Sequence, residues 1–503
     1  MSLGPRRVYL LVGASAVVVY LGALWNRFAL DDLYIVVLNP LVRNPSGLWR
    51  AFGASYWAGN LNTTVYRPLA VASYALDWMV GSAAWFHAVN LLWHAAATVL
   101  VAALARRWAG DVAGLIAGLI FAVHPVHVEA VANVVGRNEL MAATFVLLAV
   151  YAALEHGSVL WSGLAFACGL LCKENAIVTP ALIAWAWLIR LRSVPERRAL
   201  TRFAASWAIV GAAYFGLRYI VFRSYGEGIV AVAPVFIGQT AATVRLTALS
   251  TLSDVARLLV FPLHLRADYS PQERTAVTAV TDARLWLGVL VVAVWGLLLA
   301  FALKRGRRLE AFGLGWIAIA YAPVANFLFP IGVLLGERTL YLPSVGLALA
   351  AGGVLQQLPA RRLALTAGAL FLIGGARTVL RVPVWRDNLT ATASLLEDAP
   401  MSYRTYDLVG WQLLWGRQTE QALGAFMHAT DLFPRDQRVY LAAADAAFTL
   451  GRFTLGDSLL ARADAICPQC PASYSNQAGA ARLRGDSASA DSLLSHARRR
   501  RSP

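Results

Sequence analysis

The chain has 503 residues, of which 58% are hydrophobic and 14% charged, with 44 Lys plus Arg against 28 Asp plus Glu. A mean hydropathy of +0.57 excludes an ordinary soluble domain and indicates a membrane protein. The net charge of +16 does not indicate a nucleic-acid partner, because the basic residues form short clusters between apolar runs, where they anchor a membrane protein on its cytoplasmic side.

Apolar runs predict a transmembrane domain at 1–382. Arg6 and Arg7 precede an uncleaved first helix, so the N-terminus is predicted to be cytoplasmic. A window of about 19 residues gives about eleven spans, and the fold class predicted is an all-α polytopic bundle. The spans lie near 8–25, 86–105, 111–123, 139–155, 159–172, 175–190, 203–221, 285–303, 311–332, 340–357 and 363–382.

The alternation of these spans places every basic cluster inside and the polar motifs together outside. The segment 241–262 carries Arg245, Asp254 and Arg257, so we predict an external or interfacial helix there rather than a span. The predicted external parts are the first loop (26–85), the turn at 124–130, Lys173-Glu174, the segment 223–284, Glu337-Arg338 and everything after 383.

The tail at 383–503 has no window that could span a bilayer. Its prolines at 400, 434 and 468 are 34 residues apart, and Gly416, Gly451 and Gly485 repeat at nearly the same interval. This is the tetratricopeptide period, and it predicts roughly three helix pairs forming an α-solenoid with a peptide-binding surface. A plain helical bundle is the alternative. Cys467 and Cys470 are expected to form a disulfide if the tail is external.

Asp31 and Asp32 follow the first span by only a few residues. Two adjacent acids at an interface should have a raised pKa, which suits a general base. The alternative is a solvated pair, or a helix N-cap before Leu33.

Several cations are predicted on the same side of the membrane. Arg67 lies in a Tyr-Arg-Pro-Leu sequence and could bind a phosphate. The charged pairs Lys173-Glu174 and Glu337-Arg338 lie against apolar spans, where ionisable groups are costly and therefore candidates for function. Mutual neutralisation of each pair is the alternative.

A histidine motif, His124-x-x-His127-x-Glu129, follows the third predicted span and leads to Arg137 and Glu139. Its side chains include plausible ligands for a divalent metal. Proline at the second position argues against one regular helix presenting all three, so hydrogen-bonded structural histidines are the preferred interpretation and a metal site is the alternative.

Together these motifs resemble the transmembrane and tetratricopeptide-repeat protein O-mannosyltransferases, which are glycosyltransferases of the GT-C fold. The resemblance runs in order from Phe28 to the end. It is carried by F-A-L-D-D (28–32), Y-R-P-L (66–69), H-x-V-N-x-L-x-H (87–94), H-P-V-H-V-E-A-V-x-x-V-V-G-R-x-E (124–139), C-K-E (172–174), P-L-x-L-x-x-D-Y-S (262–270, with Tyr269) and E-R-x-L-Y-L-P-S (337–344, with Tyr341).

The resemblance implies transfer of a sugar, typically mannose, from a polyprenyl- or dolichyl-phosphate donor to Ser or Thr of an acceptor protein. The family's acidic pair corresponds to Asp31 and Asp32, of which we expect one to act as base. We expect the donor phosphate to be bound by Arg338, Arg137, Lys173 and Arg67, with Glu337, Glu139 and Glu174 orienting these cations. No cofactor other than the lipid-linked donor is predicted, although a divalent metal remains an alternative.

The predicted partners are membrane lipid, the donor and an acceptor polypeptide held by the repeats. The Arg-rich composition indicates a bacterial inner membrane with the repeats in the periplasm. Two alternatives remain at this stage: a GT-C transferase with a glycan or lipid acceptor, and a non-enzymatic membrane-anchored assembly factor. A transporter is disfavoured because the ionisable residues lie mainly in loops.

Overall fold

The computed structural model describes residues 4–57, 65–223, 232–260, 262–467 and 471–501, which form helices, turns and loops without β-strand. The all-helical prediction is therefore confirmed for these residues. The helices up to residue 381 are α1 Pro5–Val19, α2 Gly47–Arg50, α3 Pro68–Trp78, α4 Ala83–Ala109, α5 Asp111–Val123, α6 Val128–Ala132, α7 Arg137–His156, α8 Val159–Cys172, α9 Thr179–Leu188, α10 Arg197–Phe222, α11 Ala241–Val260, α12 Ala283–Lys304, α13 Arg308–Tyr321, α14 Tyr341–Leu355 and α15 Ala360–Arg381.

Six helical segments in the described residues are long and apolar enough to cross a membrane, or seven if the bent pair formed by α5 and α6 is one span. The six contain α4, α7, α10, α12, α14 and α15. In α10, α12 and α15 fewer than a fifth of the apolar window is buried, so these helices present apolar side chains to their surroundings, as lipid-facing helices do. A helical membrane protein is thus confirmed, while the count of about eleven spans stays a prediction.

Two predicted spans are interrupted. The segment 8–25 is helical only to Val19 and continues as a 3-10 turn, Leu21–Trp25. The segment 311–332 is α-helical only to Tyr321, because Pro323 has no N–H to donate to the helix and its ring clashes with the preceding turn. The residues beyond this break form turns that help to shape the site described below.

The membrane helices pack closely through small residues. A Cβ atom added to Gly313 of α13 would lie 2.3 Å from the carbonyl oxygen of Gly346 in α14, and the reverse contact has the same length. Apolar helices in a bilayer gain little from excluding water, so such close backbone approach is a main source of their association. The pair holds α13 and α14 together directly below the loop that carries Arg338.

The segment predicted as an external helix, 241–262, is helical as α11. Its Asp254 accepts two hydrogen bonds from the Arg274 guanidinium, at 2.7 and 3.1 Å, which fixes the following loop against the helix. Residues 224–231 and 261, which also belong to the predicted external segment 223–284, lie outside the described residues.

The tail contains α16 and three helix pairs whose first helices begin 34 residues apart. Ala429 and Ala463, the predicted packing positions, are fully buried between neighbouring helices. Pro468 and Cys470 lie outside the described residues, so the disulfide stays a prediction. The helices are α16 Asn388–Asp398, α17 Tyr403–Trp415, α18 Thr419–Leu432, α19 Gln437–Thr449, α20 Phe453–Ile466, α21 Pro471–Leu483 and α22 Ser487–Arg501.

Candidate active site

Asp31 and Asp32 point in different directions. The Asp32 carboxylate is fully buried and accepts hydrogen bonds from the backbone N–H groups of Ala29, Val134 and Val135, at 3.1, 3.4 and 2.8 Å. The Asp31 side chain is 37% exposed and lines two neighbouring cavities. The structure therefore distinguishes the two acids, which the sequence alone could not. Asp31 can reach a substrate in the cavities, and Asp32 fixes the loop that carries Asp31.

Burial raises the pKa of Asp32 to about 7, although the three backbone donors oppose this shift and the charge of Asp31 adds to it only slightly. The expected rise is present, but its main cause is desolvation rather than the adjacent acid. Because Asp32 joins the first loop to the turn at Val134–Gly136, it positions Asp31 relative to α7.

The backbone on the other side of Asp31 is held by the start of the C-terminal part. Leu30 has φ +50°, a left-handed conformation that is costly for a residue with a branched side chain. Its N–H donates to Asn388 Oδ1 at 2.9 Å, and Arg27 N–H donates to the Arg386 carbonyl at 2.6 Å. These contacts maintain the strained turn that directs Asp31 into the cavities.

Arg338 is the cation nearest to Asp31. Its Nη1 lies 3.6 Å from Asp31 Oδ2 and 3.4 Å from Glu129 Oε1, and its backbone N–H donates to Glu129 Oε2 at 2.8 Å. Glu337 was predicted to orient Arg338, but it faces away and accepts hydrogen bonds from Tyr269 Oη at 3.0 Å and from the Arg266 backbone. Glu129, and not Glu337, is therefore the carboxylate that contacts the Arg338 side chain.

The larger cavity has a volume of about 580 Å³ and contains Asp31, Arg338, Arg67 and Lys173 on one wall. Arg67 forms a two-pronged ion pair with Glu174, at 3.0 and 2.6 Å, and Lys173 is paired with the buried Glu139. Glu174 and Glu139 are thus in direct contact with these two cations, and their role in orienting them for a donor stays a prediction. The structure brings Asp31, Arg338, Arg67 and Lys173 to one cavity, while their common side of the membrane stays a prediction.

Burial and pairing set the charges of this wall. Burial alone would raise the pKa of Glu174, but the Arg67 guanidinium outweighs it and lowers the pKa to about 2. Burial lowers the pKa of Lys173, and the Glu139 carboxylate opposes that shift. Arg67 and Lys173 are therefore preorganised cations, each fixed by its own carboxylate and still in contact with the cavity.

The lining of the larger cavity also has an apolar part. It includes Phe215 of α10 and Phe329 in the turn after α13, which are 53% and 54% exposed. Because α10 is one of the helices with an outward apolar face, the cavity lies between charged loops and the lipid-facing side of the bundle. This combination suits a ligand with an anionic head and a hydrocarbon chain.

A smaller cavity, of about 150 Å³, lies on the other side of the Asp31–Arg338 contact. Both of these residues line it, together with the loop at 267–271 and one face of α17. Asp31 therefore lies at a wall shared by two cavities, one beside the membrane helices and one beside the first helix pair of the tail.

Arg137 does not line either cavity, which corrects its predicted role as a phosphate ligand. It is fully buried, forms an ion pair with Asp77 and donates to Asn90 Oδ1 and the Phe86 carbonyl, both at 2.8 Å. All of its strong contacts are thus made inside the protein, where it ties α7 to α3 and α4.

The histidine motif does not converge on one point. His124 Nε2 lies 2.8 Å from the Leu259 carbonyl, His127 Nε2 lies 2.6 Å from Ser344 Oγ, and Glu129 faces Arg338. A hydrogen bond of 2.8 Å joins Tyr341 Oη to His94 Nδ1. Within the described ranges, no group of three or more His, Cys, Asp or Glu side chains is placed to hold a metal ion. These contacts support structural roles for the two histidines.

Sequence reasoning missed the residues that α17 contributes to the smaller cavity, notably Arg404 and Trp411. They lie far from the transmembrane motifs in sequence, within a segment that the sequence predicts to be part of the repeat array. Asp268 was within a quoted motif, but its link to the tail, a 2.5 Å hydrogen bond from Ser402 Oγ, could not be read from it.

The fold and the site define a helical membrane protein in which an acid and several cations meet beside lipid-facing helices. A model of the family described as dolichyl-phosphate-mannose-protein mannosyltransferase matches residues 80–221. Human protein O-mannosyl-transferase TMTC4 is 27% identical over 482 residues, which cover 82% of this chain and 64% of that protein. Human TMTC3 is 24% identical over 513 residues, covering 93% and 56%. Protein O-mannosyl-transferase Tmtc2 of Drosophila melanogaster is 33% identical over 310 residues, covering 56% and 33%.

These matches agree with the resemblance that the motifs carried: the chain is similar to protein O-mannosyl-transferases over most of its length. The chain spans less than two thirds of the length of these curated relatives.

Proposed function

We propose that this protein is an integral membrane glycosyltransferase that moves a sugar, most simply mannose, from a polyprenyl- or dolichyl-phosphate donor to Ser or Thr of an acceptor protein. The observation that carries the proposal is that Asp31 shares one cavity with Arg338, Lys173 and Arg67, and that apolar side chains, among them Phe215 of the outward-facing helix α10, line the same cavity. The names of the relatives support the same activity.

In this proposal the larger cavity holds the donor. The phosphate lies against Arg338, Lys173 and Arg67, and the hydrocarbon chain passes along Phe215 and Phe329 into the bilayer. Cations that are already fixed by Glu129, Glu139 and Glu174 need no reorganisation when negative charge builds up on the departing phosphate. Such preorganisation is what a leaving group of this kind requires.

The acceptor hydroxyl enters from the smaller cavity and meets the sugar at Asp31. Its oxygen attacks C1 as the bond between C1 and the phosphate oxygen breaks, and its proton passes to the Asp31 carboxylate. The electron pair of the broken bond leaves with the lipid phosphate. A single displacement of this kind inverts the configuration at C1.

The finer architecture belongs to this proposal as well. We infer a GT-C arrangement of about eleven membrane crossings, counted with a 19-residue window, followed by a tetratricopeptide solenoid at 383–503. The N-terminus is cytoplasmic, and the site and the repeats are extracytoplasmic, which for a bacterial inner membrane means periplasmic. The 34-residue interval between helix pairs supports the repeat assignment.

The test is transfer by the full chain in lipid nanodiscs. A synthetic polyprenyl-phosphate mannose is offered with Ser/Thr peptides, with glycans, or with lipid acceptors in parallel, and the product is analysed by mass spectrometry and by NMR of the anomeric proton. Inverted mannosyl peptide is expected. Transfer only to glycans or lipids would replace the protein acceptor, and absence of both donor binding and transfer would favour an assembly factor. The intact chain is needed because removing 384–503 would also remove Asn388, which holds Leu30.

A further inference from the structure

The first helix of the repeat array, α17, forms part of the smaller cavity. The residues that line the cavity lie on one face of this helix, at the spacing expected for a helical stripe: Arg404, Leu408, Trp411, Gln412 and Trp415. Asp31 and Arg338 line the same cavity. Any polypeptide that presents a hydroxyl to Asp31 from this side must therefore pass along α17.

Arg404 differs from the other cations around Asp31 in having no fixed partner. In the part of the chain that the structure describes, its guanidinium makes no side-chain hydrogen bond and no ion pair within 4.0 Å, whereas its backbone N–H is capped by Ser402 Oγ. By comparison, Arg438 at the start of the next pair is bound to Asp436 at 2.7 Å. The five N–H donors of Arg404 are thus unused beside the cavity.

The acid with the largest electrostatic effect on Arg404, Asp268, does not compensate for this. Asp268 already accepts hydrogen bonds from Ser270 Oγ, at 2.9 Å, and from Ser402 Oγ, at 2.5 Å, and serves to fasten its loop to α17. Burial opposes the charge of Arg404, but the negative charges of Asp268 and, more weakly, Asp31 outweigh this and raise its pKa. Arg404 is therefore a permanent cation close enough to Asp31 to interact with it.

We propose that Arg404 binds a carboxylate side chain of the acceptor polypeptide, so that Ser or Thr residues flanked by Asp or Glu are the preferred substrates. A guanidinium matches a carboxylate with two parallel hydrogen bonds, and a partly enclosed site strengthens them. Trp411 and Trp415 supply flat apolar surfaces for an extended chain, and the Gln412 amide can bond to its backbone. This inference rests on the proposed function, since it requires that the smaller cavity receives an acceptor.

The experiment uses the full chain in nanodiscs of phosphatidylcholine, a zwitterionic lipid without net charge that does not favour peptides of either sign. Fluorescent peptides with one Ser in a Gly/Ala background carry Glu, Gln or Lys beside it, and binding is measured by anisotropy without donor. The Glu peptide is expected to bind about tenfold more tightly than the Gln peptide, which corresponds to one charge-assisted pair. Arg404→Gln should abolish this difference, and Arg404→Glu should shift the preference to the Lys peptide.

The matched control is Arg462→Glu, which alters an exposed arginine on α20 that does not line the cavity and should retain the parental preference. The Gln peptide shows whether each variant is folded, because its binding should not depend on Arg404. Equal binding of Glu and Gln peptides to the parental protein, or a preference for Glu that survives in Arg404→Gln, would overturn the inference.

Transfer of mannose to the same peptides separates this inference from the proposed function. Transfer without any charge preference would support the transferase and reject the Arg404 subsite. Binding that depends on Arg404 without transfer would support the subsite and reject the transferase.

Discussion

Arg338 Nη1 lies 3.6 Å from Asp31 Oδ2, so the cation expected to receive the leaving phosphate directly faces the acid expected to accept the proton. Their contact forms the boundary between the two cavities. At this distance each group can hold the other in place and then turn to its own substrate.

Asp31→Asn should lower the transfer rate at least about 100-fold, the usual contribution of a general base, with little change in donor affinity. The amide keeps the shape of the side chain and cannot accept the proton. Transfer is followed with a radiolabelled donor, and Asp111→Asn, on a carboxylate that pairs with Arg106 at the far end of the bundle, serves as control. A rate above half of the parental value for Asp31→Asn would exclude it as the base.

Arg338→Gln should lower both donor affinity and turnover, with an effect of about 100-fold or more on turnover, because charge on the leaving phosphate loses its closest cation. Arg338→Lys should recover part of the activity but not all, since a lysine cannot keep both the Glu129 contact and the phosphate. The exposed Arg362, changed to Gln, is a suitable control. Equal donor affinities in the two Arg338 variants and the Arg362 control would contradict the assignment of Arg338 to the donor phosphate.

Glu139→Gln should destabilise the protein by about 3–5 kcal/mol, because it leaves Lys173 without a partner at a site where both side chains are almost completely buried. The matched change Glu174→Gln should cost about 1 kcal/mol or less, since that carboxylate is 41% exposed. Denaturant titration in detergent compares the two free energies of unfolding. Similar losses would show that the two ion pairs are equally accessible to water.

The contribution of Asp32 to the stability of the protein should fall as pH rises from about 4 to about 7. The folded state holds a proton on Asp32 up to pH 7, whereas the unfolded chain releases it near its ordinary pKa, so the folded state binds more protons across this window. Asp32→Asn should remove this contribution, so between about pH 4 and about pH 7 its melting temperature should fall less, or rise more, than that of the parental protein. Asp31→Asn should retain most of the slope, and a parental slope in Asp32→Asn would contradict the assignment to Asp32.

Gly410→Ala should destabilise the first helix pair by about 1–3 kcal/mol, because the new methyl group would lie 2.4 Å from the Phe426 ring. Gly424→Ala is the matched control on the partner helix, where nothing lies within 4 Å of the added atom. Its higher helix propensity should stabilise the pair by up to about 1 kcal/mol. Circular dichroism melts of the two variants should therefore shift in opposite directions.

The general position of the site could be predicted from the sequence because charge alternation and hydrophobic runs act along the chain. The roles of single residues could not, because their partners are distant. Asp32 is held by backbone N–H groups that are 102 and 103 residues away in sequence. Arg137 is held inside the protein, away from the cavity, by contacts with Asp77 and Asn90 on other helices. Arg404 has no local signature, since only the packing of α17 against the loop at Asp268 brings it to the site.

The hydrogen bond from Leu30 to Asn388 has a consequence for the order of biosynthesis. The two residues are 358 positions apart, so the turn that presents Asp31 cannot be completed until almost the whole transmembrane part and the start of the tail have been made. At roughly 5–20 residues per second, the ribosome needs roughly 20–70 seconds to cover that distance. The first loop of a nascent chain is therefore made long before its turn can hold Asp31 in place. The turn can form only when the start of the tail has been made.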